Sequence, residues 1–255
     1  MSREPRRQAP LIAGNWKMHK TPAEARELVR SLLAELDPHP AAEVLLLPPF
    51  TALEAVQTAL GGDPRVRVGA QNCHFEPGGA YTGEIGCPML EPLCDYVLVG
   101  HSERRHLMGE SDQVVRSKLE AVLATGLLPI LAVGETAEER AEGVTDEVLV
   151  RQTRVGLQGL DAAQVGRCTI AYEPVWAIGT GATATPGDAA AAAAVIHRVV
   201  AELVGDEVVV RVLYGGSVTA ANAASLLAPP GVMGALVGGA SLRAEEFAGI
   251  VAAAG

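Results

Sequence analysis

Eight times along the chain a short run rich in Val, Ile and Leu gives way to residues with helical periodicity, and this alternation limits the possible folds more than any other feature. The runs fall at 11–13, 44–47, 66–69, 96–99, 129–133, 168–172, 208–213 and 235–237, with a first helix expected over 22–37. Helix starts are marked at Thr21-Pro22, Ser111-Asp112 and Thr185-Pro186, where a side-chain oxygen precedes the first turn. No Pro/Ser-rich linker interrupts the series. Strands that alternate with helices pair in parallel, and eight such units can close on themselves, leaving no exposed sheet edge. The pattern predicts an α/β chain with a single closed (β/α)8 barrel of eight parallel strands over residues 10–255, preceded by a flexible tail at 1–9. The runner-up is a doubly wound open sheet. Its first strand should run into a G-x-G-x-x-G turn, whereas this one runs into Ala13-Gly14-Asn15-Trp16-Lys17.

The 255 residues match the roughly 250 that such a barrel needs. Hydrophobic residues make up 49% and aromatic ones 4%, so the core must be aliphatic, which suits parallel strands buried on both faces. A net charge of −10 argues against a nucleic-acid surface. The tail carries Arg3, Arg6 and Arg7 without a following apolar stretch, so it reads as neither a secretory signal nor an anchor. The Ala-rich run 189–196 is too short to span a bilayer. Cys73, Cys87, Cys94 and Cys168 form no C-x-x-C pair, and reduced thiols in a cytoplasm are the expectation.

Barrel enzymes carry their reactive groups at the C-terminal ends of the strands. Here the first strand ends in Gly14-Asn15-Trp16-Lys17-Met18, the fourth in Gly100-His101-Ser102-Glu103-Arg104-Arg105, and the sixth in Tyr172-Glu173-Pro174-Val175-Trp176-Ala177-Ile178-Gly179-Thr180-Gly181. The seventh runs into Tyr214-Gly215-Gly216-Ser217 and the eighth into Val237-Gly238-Gly239-Ala240-Ser241. Singly, each has a bland reading. A Glu at a strand end is usually solvated, a lone His is usually structural, a Lys beside a Trp snorkels, and paired glycines permit positive φ. Collection of a carboxylate, an imidazole, a cation and two glycine nests on one face overturns those readings. An acidic protein that binds an anion must concentrate positive field locally. Backbone amides of Gly179, Ser217, Gly238 and Gly239 can hold a phosphate without a lysine cluster, leaving Lys17 as the cation near the reacting oxygen.

In order and separation these five strand-end motifs resemble those of the triosephosphate isomerase family, through the whole chain. The resemblance implies a TIM barrel that interconverts dihydroxyacetone phosphate and D-glyceraldehyde 3-phosphate through an enediolate, in glycolysis and gluconeogenesis, with no metal and no organic cofactor. It implies Glu173 as the base, His101 as the electrophile that polarises the carbonyl, and Lys17 with Asn15 as stabilisers of the enediolate oxygen. Gly179, Ser217, Gly238 and Gly239 would bind the phosphate, while Glu103 and Ser102 would support the reacting groups. A neutral imidazole beside a glutamate base is an arrangement of which this family is the standard example. Residues 174–184 resemble the family's closing lid, itself a standard case of loop gating, and a lid that excludes water protects an enediolate phosphate from side reactions.

Departures from the family pattern are Ala182 where Lys is common, Ala132 where Cys is common, Gly86 where Ser is usual, and Met233 in place of a frequent acidic residue. The segment 71–86 is long and Gly-rich for a βα loop. By resemblance it inserts into a second subunit of a homodimer, with Thr82 reaching the partner's site. Two rival readings are another phosphosugar-binding barrel enzyme and a barrel kept only as a binding module. The coexistence of Asn15, Lys17, His101 and Glu173 disfavours both. A zinc-deaminase reading of His101-Ser102-Glu103 lacks the downstream P-C-x-x-C.

Overall fold

The computed structural model describes residues 9–178 and 183–255. Eight parallel strands close into a barrel in sequence order: β1 (Leu11–Asn15), β2 (Glu43–Leu47), β3 (Val66–Ala70), β4 (Tyr96–Val99), β5 (Leu128–Val133), β6 (Thr169–Tyr172), β7 (Arg211–Tyr214) and β8 (Gly234–Val237). Closure is made by β1 against β8, with Leu11 opposite Gly234 and Gly14 opposite Val237. Every residue of β1 is buried, because one face of each strand fills the barrel and the other meets the helices.

That alternation divides the core in two. Leu11, Ala13, Leu45, Leu47, Leu98, Ile130, Leu213 and Leu236 fill the interior. Ile12, Val44, Leu46, Val97, Val99 and Val212 point outward and pack on helix faces such as Val29 and Leu32 of Pro22–Glu35. The anticipated caps are present: the side chains of Thr21, Ser111 and Thr185 accept from the backbone N–H groups of Glu24, Val114 and Asp188.

Strands β1, β2, β3, β5, β6 and β8 differ from the sequence reading by one or two residues at an end, and the larger differences have identifiable causes. The first helix stops at Glu35 instead of 37, because Asp37 precedes Pro38 and that position disfavours helical backbone. Residues 208–210 are not strand. β6 begins at Thr169, which pairs with Arg211, so these residues have no ladder partner there, and Val209 is exposed. Tyr214 joins β7 instead, between Tyr172 and Ala235.

Of the expected tail, residues 1–8 lie outside the described residues, and the Pro10 carbonyl already accepts from the Glu43 N–H at 2.8 Å. The 71–86 loop is closed at its neck by the His74 N–H donating to the Ile85 carbonyl at 2.7 Å. Its tip is packed by its own rings, His74 lying 4.4 Å from both Phe75 and Tyr81. Gly86 suits this neck, since a Cβ there would meet the Pro77 carbonyl at 2.8 Å. All four cysteines are buried, and none is in a disulfide. Among the described residues no helix is long and apolar enough to cross a membrane, and no group of His, Cys, Asp and Glu is placed to hold a metal.

Candidate active site

The C-terminal mouth of the barrel holds a cavity of about 420 Å³. Asn15, Lys17, His101, Glu173, Ser217, Gly238 and Gly239 all line it. Gly179 and Ala182 lie outside the described residues. Glu103 and Ser102 stand one contact behind the wall.

Glu173 follows β6 directly and is 2% exposed. Its backbone N–H donates to Val133 O at 2.7 Å, tying it to the end of β5. Gly134 permits this approach, because a Cβ there would lie 1.8 Å from the Glu173 carbonyl oxygen. The side chain is held at both oxygens: Oε2 accepts from the Ser102 N–H at 2.8 Å, and Oε1 lies 3.0 Å from His101 Nε2. Ser102 therefore acts through its backbone, which its identity does not reveal.

His101 caps the helix Ser102–Leu107, and its Nδ1 accepts from the Glu103 N–H at 3.2 Å. A backbone N–H can only donate, so Nδ1 carries no proton. The ring is then neutral, with its hydrogen on Nε2, pointing into the cavity toward Glu173.

Lys17 has φ +51, a left-handed conformation that costs a non-glycine residue about 1 kcal/mol or more. Neighbours hold it there. Its N–H donates to Asn15 Oδ1 at 3.0 Å, its carbonyl accepts from Gln71 Nε2 at 2.8 Å, and Nζ meets Glu103 Oε1 at 2.5 Å. Gln71 also reaches Leu47 O at 2.8 Å, so one amide braces the lysine against β2. The sequence reading missed Gln71, which stood only as the start of a long loop.

The cavity is also lined by Gly215, Gly216, Ser217, Thr219, Gly238 and Gly239. No large side chain can replace Gly215, where a Cβ would sit 2.9 Å from Glu173 Cγ. Ser217 Oγ donates to Ala177 O at 2.9 Å and thereby joins the β7 loop to the 3-10 turn Val175–Ala177 that follows Glu173. Trp176 anchors the same turn by donating to Glu135 Oε1 at 2.7 Å, and the Arg140 guanidinium lies over its ring at 4.1 Å. Burial pushes the Glu135 carboxyl up from its ordinary value, against the hydrogen bonds from Trp176 and Tyr172. Arg243 also lines the cavity, at a position that the strand-end motifs do not include. It is the first cation after the Gly238-Gly239 pair, which is the signal that could have found it.

A closed parallel barrel whose mouth sets a carboxylate and a neutral imidazole beside an ammonium group and a glycine-lined pocket belongs to the acid–base barrel enzymes. The family model described as triosephosphate isomerase matches residues 10–254, and the chain belongs to the triosephosphate isomerase family. It is 51% identical over 250 residues to the triosephosphate isomerase of Symbiobacterium thermophilum, covering 97% of each chain. It is 52% identical over 244 residues to that of Moorella thermoacetica, covering 95% of this chain and 97% of the relative. Among solved structures, the triosephosphate isomerase of Bartonella henselae superposes with a TM-score of 0.85 at 42% identity, over 94% of this chain and 97% of that one.

Proposed function

We infer that the protein is an isomerase that interconverts dihydroxyacetone phosphate and D-glyceraldehyde 3-phosphate by proton transfer through an enediolate, with residues 10–255 as one catalytic domain. The observation that carries this reading is the shared cavity: Glu173, His101 and Lys17 face one space that Gly215, Gly216, Gly238 and Gly239 also line. An α-proton of a ketone is a poor acid, so its removal requires a desolvated base and preorganised donors for the developing oxyanion. Glu173, almost fully buried, serves as the base. The substrate carbonyl takes the place of Glu173 Oε1 as acceptor for the His101 Nε2 hydrogen, which frees the carboxylate to turn toward the carbon-bound proton. Lys17 and Asn15 stabilise the resulting oxyanion, and Glu103 and Gln71 hold the lysine. Amides of Ser217, Gly238 and Gly239, with Gly179, bind the phosphate. No metal or organic cofactor takes part in these steps.

A coupled spectrophotometric assay with glyceraldehyde 3-phosphate tests the reading. Turnover that Glu173→Gln abolishes is expected, and a folded protein with no turnover would refute it.

The site is complete in a homodimer, with Thr82 of one subunit at the partner's cavity. Support comes from family membership and from an apolar cavity of about 260 Å³ beside Lys17, lined in part by Met18, Phe50 and Met108. Phe75 and Tyr81 are exposed on the 71–86 loop, and Met18 is 95% exposed. Sedimentation equilibrium should give twice the 26.4 kDa chain mass, and a monomer at micromolar concentration would refute it. The protein acts in the cytoplasm, in glycolysis and gluconeogenesis.

A further inference from the structure

We propose that Arg243 is a positioning residue for the phosphate group, drawing the dianion from solvent to the glycine amides and aligning it there. This rests on the reading of the cavity as a triose phosphate site.

The chain carries a net charge of −10, so its overall field repels a dianion, and capture depends on local cations. Among the described residues lining the cavity, those cations are Lys17 and Arg243. Lys17 is committed to Glu103 at 2.5 Å. Arg243 stands directly after the turn Gly239–Leu242, which its own N–H helps close by donating to Ala240 O at 3.3 Å. Its side chain is 66% exposed, and the Glu246 carboxylate lies 3.9 Å away, too far for a hydrogen bond. The other oxygen of Glu246 is occupied by the Ala220 N–H at 2.9 Å, so this carboxylate is anchored to the loop after β7 rather than to the arginine. The guanidinium therefore keeps a planar set of donors available to an anion arriving between the two loops.

Its place in the fold points the same way. Arg243 caps the N-terminus of Ala244–Ala252, where the helix dipole disfavours a cation, and no hydrogen bond from its side chain caps that helix. Beyond the long, exposed ion pair with Glu246, worth little at a surface, local stability supplies no reason for a cation there, whereas a phosphate at the mouth does.

Steady-state kinetics of Arg243→Gln and Arg243→Lys, with glyceraldehyde 3-phosphate and with unphosphorylated D-glyceraldehyde, separate capture from structure. Arg243→Gln should lower kcat/KM for the phosphorylated substrate about five- to tenfold near 10 mM ionic strength. The loss should shrink to about twofold near 0.5 M salt and appear mainly in KM. Arg243→Lys should recover most of it, and the neutral substrate should register little of it. Equal losses on both substrates, or no loss at low salt in an otherwise active enzyme, would overturn the role of Arg243 alone. A parent protein without triose phosphate turnover would overturn the isomerase reading and this proposal with it.

Discussion

Glu173 Oε1 lies 3.0 Å from His101 Nε2, while its second oxygen accepts the Ser102 N–H at 2.8 Å. Both groups come from the start of the helix after β4, so one backbone segment sets the imidazole and the resting position of the carboxylate together. The spacing is tight enough that small displacements should have large kinetic effects.

Glu173→Asp withdraws the carboxylate by about 1 Å, and a misplacement of that size costs about 10²-fold in rate. Steady-state assays should find kcat reduced by that order while KM stays within a small factor. A variant with near-normal kcat would remove Glu173 from the role of base.

Lys17→Ala should be far more damaging than Lys20→Ala. Both residues have positive φ, so the backbone penalty of the substitution is shared, but only Lys17 lines the cavity. The expected difference in kcat/KM is at least about 10²-fold, the scale of losing a preorganised charge at an oxyanion. Comparable activities in the two variants would refute the assignment.

Gly215→Ala places a Cβ 2.9 Å from Glu173 Cγ and 2.9 Å from the Tyr172 carbonyl. The carboxylate side chain is the softer neighbour, and it should be pushed from its position. Activity should fall at least about tenfold with little change in the circular dichroism melt. Loss of folded protein instead would place the effect on the β6–β7 pairing rather than on the base.

Glu43→Gln probes the opposite end of the barrel. Glu43 Oε2 accepts from Arg211 at 2.7 Å, Oε1 accepts from the Tyr96 hydroxyl at 2.8 Å, and Arg67 stands 3.0 Å from Oε1. Burial alone would raise this carboxyl, but Arg211, Tyr96 and Arg67 together hold it below its ordinary value. A depressed carboxyl contributes stability that is complete above the unfolded value near 4.3 and is lost as pH falls through the lower folded value. Removing one member of a buried pair costs about 3 kcal/mol, so urea unfolding at pH 7 should find the variant weaker by that order. Below about pH 4 the gap should narrow, since the parent alone must protonate the group on unfolding. A gap independent of pH would deny Glu43 its charge in the folded state.

Element type and order were legible in the chain because they depend on near neighbours. A period of two against a period of 3.6, a Thr or Ser before a first turn, and glycines after a strand are local signals, and they placed Glu173, His101, Lys17 and the paired glycines at strand ends. The start of β7 was not local. Residues 208–210 are as apolar as a strand, but only the start of β6 at Thr169 determines where pairing can begin. Gln71 reaches Lys17 across 54 residues and Arg211 reaches Glu43 across 168, contacts that exist only once the barrel has closed. Arg243 in sequence is an ordinary helix-start residue, and the convergence of the β7 and β8 loops puts it on the cavity wall. Sequence by itself determined which groups could do the chemistry. Closure of the sheet decided which of them share one space, because distances between strand ends follow from barrel geometry and not from separation along the chain.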